Sequence, residues 1–156
     1  MAPFTAFQIL QGIETLPLRM ARHVENTRRV VAFLAAHPLV AAIAYPELPG
    51  HPDHALAQKL LPKGCGAVFS FNLAGTRAQG RTFIESLRIF SHLANVGDAK
   101  SLVIHPASTT HFRMSAAELA KAGITEGTIR LSIGLENPDD LIEDLGRALH
   151  AAGKVA

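Results

Sequence analysis

The feature that most constrains the fold is a strict alternation of residues near the end of the chain. Ile129, Leu131 and Ile133 alternate with polar residues in the stretch TIRLSIG. Because successive side chains of a strand point to opposite faces of a sheet, this pattern predicts a strand with one apolar and one polar face. The apolar face must pack on another layer, whereas the polar face, which includes Arg130, is free for a function.

The residues that follow this strand carry the signals of a helix N-terminus. Asn137 is a favoured cap, Pro138 suits the first helical position, and two aspartates occupy the first turn. Apolar residues at helical spacing continue to Leu149, and Gly153 marks the end. The sequence therefore predicts a C-terminal helix that packs through an apolar stripe.

Caps, prolines and hydrophobic periodicity predict the remaining elements. They are helices over 4–37, interrupted at Pro17 and closed at Pro38; a buried strand over 39–45; a helix over 53–61 capped by Asp53; a strand over 68–73; a helix from Thr76 to about residue 90; a strand over 101–105; and a short helix from Ser115 to Gly123. The fold class is α+β, with a small mixed or antiparallel sheet covered by helices and preceded by a long helical segment.

Composition narrows the class of protein. With 156 residues, 48% hydrophobic and 18% charged, the chain is expected to form one globular domain. The lone Cys65 forms no intrachain disulfide, no signal peptide is evident, and no apolar run is long enough to span a bilayer. We therefore expect a cytoplasmic protein without a membrane partner. A net charge of +2, without basic tracts among aromatics, argues against nucleic-acid binding.

The sequence offers few candidates for chemistry. Cys65 lies between two glycines that open a strand, a position that suits a small buried side chain at least as well as an activated thiolate, so we do not expect a catalytic cysteine. His51 and His54, like His105 and His111, lack a third ligand at a recognisable spacing, so no metal site is predicted. Arg130 remains, as either a solvated surface residue or a guanidinium that binds a carboxylate through two parallel hydrogen bonds.

Four segments resemble the C-terminal part of the Cys/Met-metabolism family of pyridoxal-phosphate (PLP) enzymes. They are ETLPLRMARH, GAVFSFNL, SHLANVGDAKSLVIHPASTTH and GITEGTIRLSIGLENPDDLIEDLGRAL. Within the family, ANVGDAKSLVIHPASTTH is most similar to O-acetylhomoserine sulfhydrylases, which make homocysteine from O-acetylhomoserine and sulfide. The alternatives are methionine γ-lyase, cystathionine γ-synthase, O-succinylhomoserine sulfhydrylase and a non-catalytic binding fragment. Methionine γ-lyase and O-succinylhomoserine sulfhydrylase usually carry serine in place of Asn95.

The resemblance also implies roles for individual residues. Arg130 binds the substrate α-carboxylate, Asn95 and the Val96 backbone help to hold the same group, and Thr110 lies near the substrate. The family's cofactor is a Schiff base on a lysine in a Ser-x-Thr-Lys motif, and none of the five lysines here follows a threonine. The chain is therefore expected to supply no catalytic and no cofactor-binding residue. PLP is then bound elsewhere in the complete enzyme.

The same resemblance implies the domain organisation. Residues 1–36 correspond to connector helices from a preceding large domain, and residues 37–156 to the C-terminal substrate-binding domain of a fold-type I PLP enzyme. The expected partners are an amino-acid substrate, the PLP-binding large domain of the same enzyme and further copies of it in a homo-oligomer.

Overall fold

A computed structural model describes residues 1–155 of the chain. Its elements are α1 (Pro3–Glu14), α2 (Leu16–Ala35), β1 (Val40–Ala44), α3 (His54–Leu60), β2 (Val68–Leu73), α4 (Arg77–Ser86), β3 (Ser91–His92), β4 (Leu102–Ile104), a 3₁₀ turn at Pro106–Ser108, α5 (Ala116–Lys121), β5 (Thr128–Ser132) and α6 (Pro138–Ala152). Within residues 1–155, no helix has the length and apolar character that a bilayer crossing demands. The mixture of helices and strands confirms the predicted α+β class.

The strands form one sheet in the order β1-β2-β5-β4-β3. All neighbouring pairs are antiparallel except β3 and β4, which run parallel, so the sheet is mixed. The strand β5 lies at the centre, where Arg130 is opposite Ser70 of β2 and Ile104 of β4. The strand β3 was not predicted from the sequence, because two residues are too few to show an alternation.

Helices cover one face of the sheet and form the core with it. Ile129, Leu131 and Ile133 have no exposed surface, which confirms the predicted apolar face. Their main partners in this core are Val30, Val31, Leu34, Phe71, Phe83, Leu141, Leu145 and Leu149. Each fully buried side chain of this size contributes about 1.5–3 kcal/mol to the free energy of folding.

The opposite face of β5 is less open than the alternation predicted. Thr128 and Ser132 are each only 5% exposed, and the Thr128 hydroxyl donates to the Asn72 side-chain oxygen at 2.7 Å. Arg130, the third polar residue of this face, is half-buried and therefore more exposed than the other two. Arg130 is therefore the polar residue of this face of β5 that stays accessible to solvent.

The N-terminal helical segment divides as predicted. The break is at Thr15, and Pro17 lies at the second position of α2. The α2 helix buries one side, including Val24 and Leu34, as its apolar spacing predicted. In contrast, α1 buries none of its residues.

Two predictions on the segment 39–61 were wrong in detail. The strand β1 is an edge strand and is largely exposed, because β2 pairs with it on one side only. Asp53 does precede α3, but its side chain makes no capping hydrogen bond, and its backbone N–H donates to His51 Nδ1 at 3.1 Å. The turn before α3 is held by the histidine ring instead of the predicted carboxylate.

Local capping interactions fix the ends of the last two helices, α5 and α6. Ser115 and Glu118 form the predicted capping box of α5, and Asn137 caps α6 by accepting from the Asp139 N–H at 3.1 Å. Gly123 follows α5 with a φ of +72°, a left-handed conformation that favours glycine. These helix ends agree with the sequence analysis because all their signals lie within a few residues of one another.

The helix α4 begins with the predicted capping box of Thr76 and Gln79, but it ends at Ser86 instead of residue 90. Beyond its end, the Asp144 carboxylate on α6 accepts from the Arg88 N–H at 3.0 Å and the Ile89 N–H at 2.9 Å. These amides are therefore satisfied by a side chain that lies far away in the sequence. Without this partner they would need helical carbonyls or water.

We expect Asp144→Asn to lower the free energy of unfolding of the 156-residue chain by about 2 kcal/mol. One oxygen of Asp144 accepts from the Arg88 and Ile89 amides and the other contacts Arg147. Asparagine keeps only one acceptor oxygen and no charge, so it cannot hold the two amides and the guanidinium together. The measurement is urea unfolding, with the exposed Glu143→Gln on the same helix as the control. Equal effects of the two substitutions would contradict this role of Asp144.

Candidate functional site

Arg130 is the candidate around which a site can be built. It stands in the middle of the central strand, where hydrogen bonds on both sides fix its backbone. Its side chain is half-buried, yet in residues 1–155 no carboxylate lies within ion-pair distance of its guanidinium. Since a partly desolvated guanidinium with free donors favours an anion, this position suits a bound carboxylate.

A shallow pocket brings Arg130 together with Asn95. Its other lining residues are Leu93, Ala94, Leu102, Ile104 and Ser132. Two of the four predicted substrate-binding residues are therefore neighbours, although 35 positions separate them in the sequence. The apolar lining from β4 and residues 93–94 was missed by the sequence analysis, because nothing local indicates that β4 pairs with β5.

Hydrogen bonds within the loop hold Asn95. Its Nδ2 donates to an Asp98 oxygen at 3.3 Å, and its Oδ1 accepts from the Val96 N–H at 2.8 Å. The other Asp98 oxygen accepts from the Lys100 N–H at 3.1 Å. The Lys100 amide, followed by the Asn95 amide, lowers the pKa of Asp98 below its usual value. Asp98 thus acts as a stable acceptor that orients Asn95, a function that sequence spacing did not indicate.

The predicted roles of Val96 and Thr110 find less support in this geometry. The Val96 N–H is engaged by Asn95, so it is free to hold a carboxylate only if Asn95 turns away. Thr110 is exposed, and its hydroxyl is 2.8 Å from His111 Nδ1. Neither residue lines the pocket that contains Arg130. The structure therefore brings Asn95 and Arg130 together and leaves Val96 and Thr110 outside.

The lysines do not provide a place for a Schiff base. Lys59, Lys63, Lys100, Lys121 and Lys154 are all exposed, and none lines a described cavity. A lysine that holds PLP needs a pocket that also encloses the cofactor's ring and phosphate. The described residues, 1–155, do not fit this cofactor.

Cys65 lies in a second, separate cavity lined by Arg28, Glu47 and His54, among others. Burial and the nearby Glu47 carboxylate raise the pKa of the Cys65 thiol, opposed only by Arg28. A reactive cysteine needs the opposite shift. This environment gives no support to a nucleophilic role for Cys65.

Two of the histidines contact backbone carbonyls of the fold. His105 is 2% exposed; its Nε2 is 2.6 Å from the Glu126 carbonyl and its Nδ1 is 2.8 Å from the Ser108 hydroxyl. Because a carbonyl only accepts, Nε2 carries the proton and Nδ1 accepts from Ser108. His54 Nδ1 contacts the Pro46 carbonyl at 2.9 Å. Within residues 1–155, no three His, Cys, Asp or Glu side chains are grouped to hold a metal.

The mixed sheet with its helical cover, which carries the half-buried Arg130, has the fold of a part of PLP-dependent enzymes. A family profile described as "Cys/Met metabolism PLP-dependent enzyme" matches residues 1–150, and the chain belongs to this family. The match confirms the family resemblance drawn from the motifs.

Individual relatives agree with this assignment. The chain is 50% identical over 149 residues to the O-acetyl-L-homoserine sulfhydrylase of Leptospira meyeri, covering 95% of this chain and 34% of that protein. A crystal structure of a putative O-acetylhomoserine (thiol)-lyase from Campylobacter jejuni, which carries a pyridoxyl-lysine phosphate residue, is 44% identical. Its TM-score is 0.88, and the match covers 96% of this chain and 36% of that one.

A second enzyme of different activity is equally similar in structure. The cystathionine gamma synthase of Xanthomonas oryzae, solved with cystathionine, has a TM-score of 0.88 and 43% identity, over 97% of this chain and 39% of that one. The chain spans about a third of the length of the curated relatives it matches. The similarity therefore covers one part of a longer enzyme.

We expect the carboxylate of Glu47 to stabilise the chain at neutral pH and to lose this effect in acid. Burial raises the pKa of Glu47, but the hydrogen bonds from Arg28 and the Cys65 N–H lower it by more, so the net shift is downward. Because the pKa of Glu47 is lower in the folded than in the unfolded chain, its carboxylate stabilises the fold at pH values above about 4.3, the ordinary pKa of glutamate. This stabilisation is lost as the pH falls through the pKa of the folded state.

The check is urea unfolding of wild type and Glu47→Gln at pH 7 and about pH 3. The difference between the two proteins should shrink in acid, whereas the exposed Glu25→Gln should differ from wild type equally at both pH values. A Glu47→Gln difference that is independent of pH would rule out this electrostatic role.

Proposed function

We propose that the chain is the C-terminal part of an O-acetylhomoserine sulfhydrylase, which converts O-acetylhomoserine and sulfide to homocysteine and acetate. In this proposal the chain binds the α-carboxylate of the amino-acid substrate. The observation that carries it is Arg130, a half-buried guanidinium beside Asn95 without a carboxylate partner in the described chain. The 50% identity to the Leptospira meyeri sulfhydrylase favours this enzyme within the family.

Arg130 would act by binding and orientation. Its planar fork matches a carboxylate, and two parallel hydrogen bonds fix both the position and the direction of the substrate's Cα. The strand holds the Arg130 backbone rigidly, while Asn95 approaches from the loop of residues 93–100. In this proposal, the groups that react with the substrate, including the lysine that holds PLP, lie in another part of the enzyme.

Exposed apolar surface on α1 supports a further part of the proposal. Phe4, Phe7 and Leu10 are 69%, 57% and 59% exposed, and α1 buries no residue in the described chain. An apolar helix face of this kind needs a surface to pack on. We assign residues 1–36 as connecting helices to a preceding large domain and residues 37–156 as the substrate-binding domain, in a cytoplasmic homo-oligomer.

In the complete enzyme we expect Arg130→Lys to lower kcat/KM for O-acetylhomoserine about tenfold to a hundredfold, chiefly through KM. Lysine keeps the charge but loses the second parallel hydrogen bond, a loss of about 1.5–3 kcal/mol for a bond between charged groups. The matched control is Arg81→Lys, an exposed arginine paired with Glu85, which should leave both constants unchanged.

The same assay decides the substrate. O-Acetylhomoserine with sulfide is compared with O-acetylhomoserine with cysteine, with O-succinylhomoserine and with methionine. A higher kcat/KM for one of the other substrates would replace the sulfhydrylase assignment, and an unchanged kcat/KM in Arg130→Lys would refute the carboxylate role.

A further inference from the structure

The proposed carboxylate site is built from two separate pieces of chain. Arg130 stands on β5, whereas Asn95 belongs to the exposed loop of residues 93–100. A substrate carboxylate held by both residues needs a constant distance between them. A residue that joins the loop to the end of β5 would set this distance.

Glu136, six residues beyond Arg130, makes such a connection. One of its carboxylate oxygens accepts from the Ser101 N–H at 2.6 Å, and the other accepts from the Ser101 hydroxyl at 2.9 Å. Ser101 has no exposed surface and directly follows the Asn95 loop. Because the bonds go to a carboxylate and one donor is fully buried, they are stronger than ordinary surface hydrogen bonds.

Backbone contacts strengthen the same connection. The Ser101 hydroxyl oxygen accepts from the Gly134 N–H at 2.8 Å, and the Leu135 N–H donates to the Ala99 carbonyl at 2.9 Å. A Cβ at Gly134 would collide with the Ala99 carbonyl and the Glu136 side chain. Glycine at this position is therefore required for the close approach of the two segments.

The hydrogen bonds continue from Ser101 towards the site. The neighbouring Lys100 N–H donates to Asp98, and Asp98 accepts from the Asn95 amide. On the other side, Asn26 of α2 donates to the Gly134 and Glu136 carbonyls at 3.0 and 2.9 Å. Glu136 thus stands between a fixed helix and the loop that presents Asn95.

We infer that Glu136 is a positioning residue of the substrate carboxylate site. It contacts no ligand itself; it fixes the Asn95 loop to the end of the strand that carries Arg130. This inference rests on the proposed function for its consequence in substrate binding, but the connection between loop and strand can be tested independently. A purely structural glutamate would affect stability without separating KM from kcat.

The first test is amide hydrogen exchange on the 156-residue chain with Glu136→Gln. Glutamine offers one acceptor oxygen in place of two, so exchange should become about tenfold faster or more for the hydrogen-bonded amides within 95–101, those of Val96, Lys100 and Ser101. Amides of β2 should keep their rates. The control is Glu143→Gln, the same change on an exposed face of α6. A second variant, Ser101→Ala, removes the hydroxyl between Glu136 and Gly134 and should accelerate the same amides.

The second test is steady-state kinetics of the complete enzyme. Glu136→Gln and Ser101→Ala should each raise KM for the amino-acid substrate about fivefold or more and leave kcat within about twofold, as expected when substrate binding alone is weakened. Glu143→Gln should leave both constants unchanged.

The outcomes separate the two proposals. Unchanged exchange in 95–101 would overturn the connection, and faster exchange with unchanged KM would overturn the positioning role. A rise in KM accompanied by an equally large fall in kcat would indicate a general structural role and would also overturn the positioning role. If the wild-type enzyme turns over none of the amino-acid substrates, the proposed function fails and with it the positioning role, while the exchange experiment still decides the connection.

Discussion

The pairing of β5 on both of its edges is the constraint on which the rest of the structure depends. As the central strand, it is bonded to β2 on one side and β4 on the other, which fixes its register twice. A slip by one residue would expose Ile129 and Leu131 and drive Arg130 into the helical core. Burying an unpaired guanidinium costs far more than a domain of this size can compensate. The alternation that builds the core therefore also places Arg130 on the other face.

The two faces of the sheet differ in what covers them. The helices α2, α4 and α6 cover one face and supply most of the apolar contacts. On the other face, Thr128 and Ser132 are buried, while Arg130 and the Asn95 loop remain accessible. Polar connections tie the loops to this rigid layer: Asp144 holds the segment after α4, and Glu136 holds the segment before β4. The site is thus formed by loops, but its geometry is determined by the sheet and the helices.

The sequence predicted the features whose causes are local. The caps at Thr76, Ser115 and Asn137 and the alternation around Arg130 involve residues within one or two turns of each other, so they can be read directly. Features that depend on a distant partner were missed or wrong: β1 lies at an exposed edge because of its place in the sheet, and the segment after α4 is held by Asp144, which lies 56 residues beyond Arg88 and 55 beyond Ile89.

The same limit applies to the candidate site. The motifs indicated Asn95 and Arg130, and the structure places them in one pocket. For Val96 and Thr110 the resemblance supplied a role, but in this geometry they lie outside that pocket. Glu136 and Ser101 carry no local signal at all, because their importance arises only when residues 35 positions apart meet.

In the proposed function, this chain recognises the substrate carboxylate while the cofactor lysine lies elsewhere in the enzyme. The most direct measurement is to incubate the purified 156-residue chain with pyridoxal phosphate, reduce with borohydride and map the modified lysines by peptide mass. We expect no site-specific adduct, because all five lysines are exposed and none lines a described cavity that could enclose the cofactor. Stoichiometric labelling of a single lysine would contradict it and would establish a cofactor site within the chain itself.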